Sequence, residues 1–440
     1  MPRRRIFEDT DFPDAHPNRQ HSDERLPRSF WALLGAGLGL GAASAVAASS
    51  SALAAYFARR IVTPERVRVE DQELLAVQGR GDERRVILKA TSETAADGEY
   101  SFFFAGGTGH VRLGPLEDYQ PGDETVTRRV IAEYSGDLDR AVKGRWSGVV
   151  FSSPGDVGYE FQEVAVPTAL GPAPAWLVPA GEGGTSRTWA IMVHGRGATR
   201  LESLRGLLPA QRLGLTSLVV SYRNDGEAPA TADGRYGLGM TEWRDVEDAI
   251  SYALEHGAAD VVLFGWSMGG AISLAAADRS SQRQYIRALV LDAPVVDWVD
   301  VLAHQAQKNR IPRGIGRFGQ FLLAHPLGRR MTGLAAPLDF RAMDWVTRAV
   351  ELRTPTLILH SADDEFVPFG PSALLAGRNP EMVTLETFRK ARHTKEWNVD
   401  PERWEATIVA WLRDVLAPRP APGGSTSSSV ASSGAAQPDH

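Results

Sequence analysis

Gly265-Trp266-Ser267-Met268-Gly269-Gly270 is the segment whose residue types and spacing point most directly to chemistry. It follows an apolar run, Val261 to Phe264, that reads as a strand, and it opens a stretch, Met268 to Asp278, with apolar residues at helical spacing. A serine on so tight a strand-to-helix turn projects from the sheet edge, and small residues two before and two after it keep backbone and neighbours from clashing. Its hydroxyl becomes a useful nucleophile only when a positioned imidazole takes its proton and a carboxylate fixes the imidazole tautomer. The competing reading is a glycine-rich βα turn with a bystander serine, and the strand and helix on either side favour the nucleophile.

In that context the segment resembles the nucleophile elbow of the α/β-hydrolase superfamily, and the resemblance covers residues 165–416. It implies a chain order of nucleophile, acid, histidine. Only His393 and His440 lie beyond residue 364, and His440 ends the tail, so His393, in Ala391-Arg392-His393-Thr394, takes the place of the base. The acid is then expected at Asp364, in His360-Ser361-Ala362-Asp363-Asp364-Glu365-Phe366-Val367-Pro368, where relatives carry H-G-x-x-D-x-x-V-P. Ser361 departs from the usual glycine. Asp363 next door and Asp292 one strand earlier are the competing acids. Two backbone N–H groups should face the oxyanion of acyl transfer. The resemblance assigns them to Met268 and to Arg196, in His194-Gly195-Arg196-Gly197, with the Arg196 side chain incidental and a plain glycine-rich turn as the alternative. His194 precedes the acid in sequence and reads as structural. His393-Thr394-Lys395-Glu396-Trp397 lacks the second histidine of a zinc helix, so neither a metal nor a cofactor is implied.

These residues need a frame, and the runs from Val164 onward supply one. Trp189–Val193, Ser217–Ser221, Val261–Phe264, Ala288–Leu291, Thr356–Leu359 and Val383–Glu386 read as buried parallel strands. Trp243–His256, Met268–Asp278 and Pro401–Leu416 read as the helices that cover them. The expected fold class is therefore α/β, an α/β-hydrolase domain over 164–417 with a mostly parallel sheet. An insertion at 294–353 stands where relatives carry a lid. Its Trp298, Phe318, Phe321, Leu322 and Trp345 either line an apolar pocket or pack the insertion onto the domain. Short apolar runs separated by Gly, Asp and Pro clusters, such as Arg85–Leu88 and Tyr100–Phe104, predict a small β-rich domain over 59–163.

Residues 29–58 carry no charge and are long enough for a transmembrane helix, with Trp31, Tyr56 and Phe57 available to the interfaces. A cleavable signal peptide ending at Ala45-Val46-Ala47 and a buried soluble helix are the alternatives. Arginines on both sides leave the orientation open. The tails, 1–28 and 418–440, have the composition of disordered segments. The chain lacks cysteine, which excludes disulfides, thiolate metal sites and a cysteine nucleophile. A net charge of −6 and the lack of a basic run interleaved with aromatics exclude a nucleic-acid partner.

The expectation is a single-pass, membrane-anchored serine hydrolase that cleaves an ester or acyl bond in a small or lipid-like substrate through an acyl-enzyme. The rivals are a serine peptidase of the prolyl-oligopeptidase type and a non-catalytic membrane-associated binding module. Sequence leaves the oligomeric state open.

Overall fold

The computed structural model describes residues 50–65, 68–181, 184 and 186–417. Both tails, 1–28 and 418–440, lie outside these residues. So do residues 29–49 of the apolar segment, with the alternative cleavage site at Ala45-Val46-Ala47. The chain divides into two units, Met1–Ala52 and Leu53–His440, and among the described residues every strand lies in the second.

Residues 50–62 are helical. Within the second unit this helix, α1 (residues 53–62), places Ala54, Ala58 and Val62 on one stripe, each at most 1% exposed, inside the core of the hydrolase domain. The span expected to reach residue 58 is thereby corrected at its end. An uncharged stretch satisfies a protein core as well as it satisfies lipid, and from Leu53 onward it packs on protein. Among the described residues no helix is long and apolar enough to cross a membrane.

The β-rich region is a closed antiparallel barrel. Its strands are β1 (Gln72–Gln78), β2 (Arg85–Lys89), β3 (Tyr100–Phe104), β4 (Gly109–Gln120), β5 (Thr125–Ser135) and β6 (Lys143–Ser147), in the order β1-β2-β5-β4-β3-β6 with β6 returning to β1. Closure removes exposed sheet edges. Leu88, Phe102, Phe104, Leu113 and Val126 fill the barrel. Arg128 is also fully buried; its guanidinium donates to the carbonyls of Thr94, Gly98 and Gly114 at 3.0, 2.9 and 2.8 Å and so fixes the loop that packs on the hydrolase domain. A single six-stranded barrel differs from the multi-bladed propeller of prolyl-oligopeptidase-type enzymes.

The hydrolase domain is built on β7 (Gln162–Thr168), β8 (Gly171–Val178), β9 (Thr188–Val193), β10 (Thr216–Val220), β11 (Asp260–Trp266), β12 (Ile286–Asp292), β13 (Thr356–Ser361) and β14 (Val383–Phe388). The sheet order is β14-β13-β12-β11-β9-β10-β8-β7, parallel from β14 to β10, with β8 antiparallel to both neighbours. Alternate residues feed two cores: Ile191 and Val193 point into one, Ala190 and Met192 into the other. The first core is covered by α4 (Trp243–Glu255) and α5 (Met268–Arg279), the second by α3 (Leu207–Arg212) and α11 (Pro401–Leu416). The four-residue α2 (Pro154–Val157) joins barrel to sheet.

The insertion forms α6 (Trp298–Lys308), α7 (Arg313–Ala324) and α8 (Arg329–Thr332). Trp298, Leu322 and Trp345 are buried in the core, whereas Phe318 and Phe321 stay 37% and 44% exposed and stack on each other. Packing therefore claims Leu322 and Trp345, while Trp298, though buried, also lines a cavity. The remaining helices are α9 (Phe369–Arg378) and α10 (Glu396–Val399).

Candidate active site

The turn between β11 and α5 is tight enough to exclude side chains. A Cβ on Gly269 would stand 2.1 Å from the Val193 carbonyl oxygen, and one on Gly265 would stand 2.5 Å from the Gly269 oxygen. Ser267 between them holds φ 53° and ψ −114°, a conformation that non-glycine residues rarely adopt and that a surrounding structure must enforce. The enforcement is visible: the Ser267 amide donates to the Asp292 carbonyl at 2.9 Å, and its own carbonyl accepts from Gly270 and Val295 at 3.0 and 3.1 Å.

Three of the residues expected from sequence meet in one chain of hydrogen bonds. The Ser267 hydroxyl stands 2.8 Å from His393 Nε2, and His393 Nδ1 stands 2.7 Å from Asp364 Oδ2. Asp364 leaves the C-terminal end of β13, where its other oxygen accepts from the Phe366 and Val367 amides at 2.8 and 3.0 Å. Burial works to raise the Asp364 carboxyl, but the His393 charge and hydrogen bonds from His360 and His393 outweigh it and hold the group well below the ordinary carboxylate range. The ionised Asp364 accepts a hydrogen bond from the Nδ1–H of His393, which fixes the tautomer and leaves Nε2 free to accept from the serine. Such a chain can activate a hydroxyl for attack on an acyl carbon.

The competing acids are elsewhere. Asp363 accepts from the Lys390 amide at 2.7 Å. Asp292 is fully buried and accepts from Trp404 Nε1 at 2.8 Å. Beside it lies Glu396, also fully buried, which burial and the Asp292 charge push well above the usual range, so Glu396 is the protonated member of the pair. His194 stacks on Tyr222 at 4.2 Å and reaches Asp225 at 3.1 Å, apart from the Ser267–His393–Asp364 chain.

Met268 is the first residue of α5, where helix geometry leaves amides unpaired. Arg196 lies in the loop after β9, and among the described residues neither of these two amides shows a backbone partner outside the regular elements. The Arg196 side chain makes a separate contact of its own. Its guanidinium donates to the carbonyls of Ile61 and Arg60 at 2.6 and 2.9 Å, which ties the C-terminus of α1 to this loop. Sequence reasoning missed this contact, since a capping arginine 135 positions away leaves no local signal. It also missed His360, whose Nε2 lies 3.2 Å from Asp364 Oδ2 and whose Nδ1 lies 2.9 Å from the Ser372 hydroxyl. The four-residue spacing from His360 to Asp364 was the available clue.

Ser267 opens into a cavity of about 350 Å³. Its walls include Phe57 and Ile61 of α1, Trp298 and Leu302 of α6 and Leu323 of α7. Phe366, stacked on the His393 ring at 5.1 Å, stands at the same opening. The lining is largely apolar, with Arg60, Glu65, Arg196, Gln305, Asn309 and Gln320 as its polar residues besides Ser267. Among the described residues no group of acidic and histidine side chains could hold a metal ion.

Solved structures to which the chain is similar include an esterase from Pyrococcus furiosus, 16% identical, covering 60% of this chain and 94% of that one with a TM-score of 0.46. Another is a protein from Xanthomonas campestris described as an α/β serine hydrolase without a lid, 15% identical over 59% of this chain and 97% of that one, TM-score 0.42. A third is an esterase from Exiguobacterium antarcticum, 18% identical over 57% and 100%, TM-score 0.39. No curated protein matches the chain. Residues 73–147, the barrel, match a domain of unknown function (DUF8805). Residues 183–420, more than half of the sequence, match the model of the alpha/beta hydrolase family, and the chain belongs to that family.

Proposed function

We propose that the protein is a serine esterase that cleaves esters of apolar acyl groups through an acyl-enzyme, with Ser267 as nucleophile, His393 as general base and acid, and Asp364 as the carboxylate that orients it. The observation that carries this reading is the hydrogen-bonded chain from Ser267 through His393 to Asp364 at the mouth of an apolar cavity. Ser267 Oγ attacks the ester carbonyl while its proton passes to His393 Nε2. The negative charge that develops on the carbonyl oxygen is met by the Met268 and Arg196 amides. Collapse breaks the bond to the alcohol, which leaves with the proton from His393. Water, deprotonated by the same nitrogen, then releases the acid and restores Ser267.

The acyl chain occupies the cavity between α1 and the insertion, which makes α6 and α7 a lid in function. Residues 29–49, an uncharged stretch of bilayer-spanning length, anchor the enzyme in a membrane immediately before α1.

p-Nitrophenyl esters of graded acyl length, assayed beside proline and alanine peptide amides, test the reading. Ester turnover that vanishes in Ser267→Ala supports it. Peptide turnover far above ester turnover would move the enzyme to the peptidases.

A further inference from the structure

Arg196 has a second cavity on its other side, of about 260 Å³, between the barrel and the hydrolase domain. Its character is opposite to that of the first. Arg68, Arg145, Arg196, Arg205 and Lys395 all line it, against one carboxylate, Glu202. Glu202 already accepts from the Gly195 amide at 2.7 Å.

Arg196 is tied to the α1 carbonyls and Arg205 faces the Asp292 charge, but compensation of the cluster is incomplete. Arg145, on β6, lies over the Phe103 ring at 4.5 Å and forms no hydrogen bond or ion pair among the described residues. Burial and the neighbouring Arg68 charge lower its guanidinium to about 10, with Glu70 opposing them. Arg205 is 4% exposed; one nitrogen donates to Asn398 at 3.0 Å, while its Nε has no partner among the described residues. The Thr199 hydroxyl, which also lines the cavity, is buried and unpartnered there. Lys395 reaches Glu93 only at 3.6 Å. Half-buried like charges repel and lose hydration, and an anion with several oxygens relieves both costs, with the planar guanidinium matching phosphate oxygens two at a time.

The position gives the anion a role. The cavity is bounded by Arg196-Gly197, the loop that faces Ser267, and by Thr394, next to His393. We propose that this cavity is a phosphate subsite for the alcohol portion of the substrate, so that the enzyme prefers esters carrying an apolar acyl chain on one side of the scissile bond and a phosphate group on the other. The inference rests on the esterase reading, and it gives the barrel a task, since Arg145 and Arg68 come from the chain around it.

The test uses the full-length enzyme and two esters with the same acyl chain, an acylglycerol and an acylglycerol phosphate. The phosphate ester should show a kcat/KM at least about tenfold higher, expressed mainly in KM. Arg145→Gln should abolish that preference and leave the acylglycerol rate unchanged, with Lys395→Gln as a second variant should the first fail to fold. Inorganic phosphate should inhibit the wild type competitively and Arg145→Gln weakly. Equal use of both esters overturns the subsite and leaves the esterase standing. Inhibition by inorganic phosphate without any preference for the phosphate ester means that the cavity takes free phosphate, and it overturns the substrate assignment. If neither ester is turned over, calorimetric titration of Ser267→Ala with inorganic phosphate still decides the subsite, and lack of binding there overturns it.

Discussion

Two carboxyl groups near the same serine are pushed in opposite directions, and the contrast sets what each does. Asp364 is held ionised by two histidines, whereas Glu396, behind the elbow, keeps its proton because burial and Asp292 both oppose its charge. For Asp364 the folded pKa lies below the unfolded one, so its contribution to stability is present above the ordinary carboxylate range and fades as pH falls through the folded value. Glu396 has the reverse sign: its contribution is complete in acid below its unfolded pKa and is lost as pH rises towards the raised folded value. Denaturant unfolding across pH should show Asp364→Asn flattening the acid limb and Glu396→Gln flattening the loss towards neutral pH. In the ester assay, Asp364→Asn should lower kcat by roughly 10⁴, because the amide stabilises the wrong imidazole tautomer. That Ser267, His393 and Asp364 would meet was legible in the sequence, because the residue types that acyl transfer would need and the family's chain order single them out. The protonated Glu396 was not, since its state depends on a neighbour more than a hundred positions away.

Elements decide how these groups are aimed. The elbow depends on a turn with no room for a Cβ, and Gly269→Ala, which drives a methyl against the Val193 carbonyl, should cost about 3 kcal/mol in chemical denaturation. Helix α1 has the less expected role, as a wall of the cavity beside Ser267. Phe57→Ala on that helix should shift the acyl-length optimum to longer chains and lower kcat/KM for short ones, which the graded esters would report. An unchanged profile would remove α1 from the acyl site. The parallel strands and covering helices could be read from sequence because their apolar runs are continuous and their helical faces periodic. Strands β7 and β8 were missed, since Pro167, Pro172 and Pro174 argue against a strand locally while the sheet tolerates them at its antiparallel end. The docking of α1 was hidden by chemistry common to lipid and protein interiors.

At the scale of the molecule, barrel and hydrolase are joined by a few specific contacts. Asn398 is fully buried and donates to the Glu99 and Gly148 carbonyls at 2.6 and 2.9 Å, while its oxygen accepts from Arg205 at 3.0 Å. Asn398→Ala leaves those partners unsatisfied and should destabilise the protein by about 3 kcal/mol. Calorimetry should also show the single unfolding transition of the wild type separating into two as the barrel uncouples. Barrel closure could not be read from the short strands, because pairing among them is non-local; only its β-rich character was visible. All of these parts converge on one serine hydroxyl, and a fluorophosphonate probe tests it most directly. One equivalent of label per chain is expected, mapped by peptide mass spectrometry to Ser267 and lost in both Ser267→Ala and His393→Ala. Folded wild-type protein that takes no label, or takes it at another residue, would contradict it.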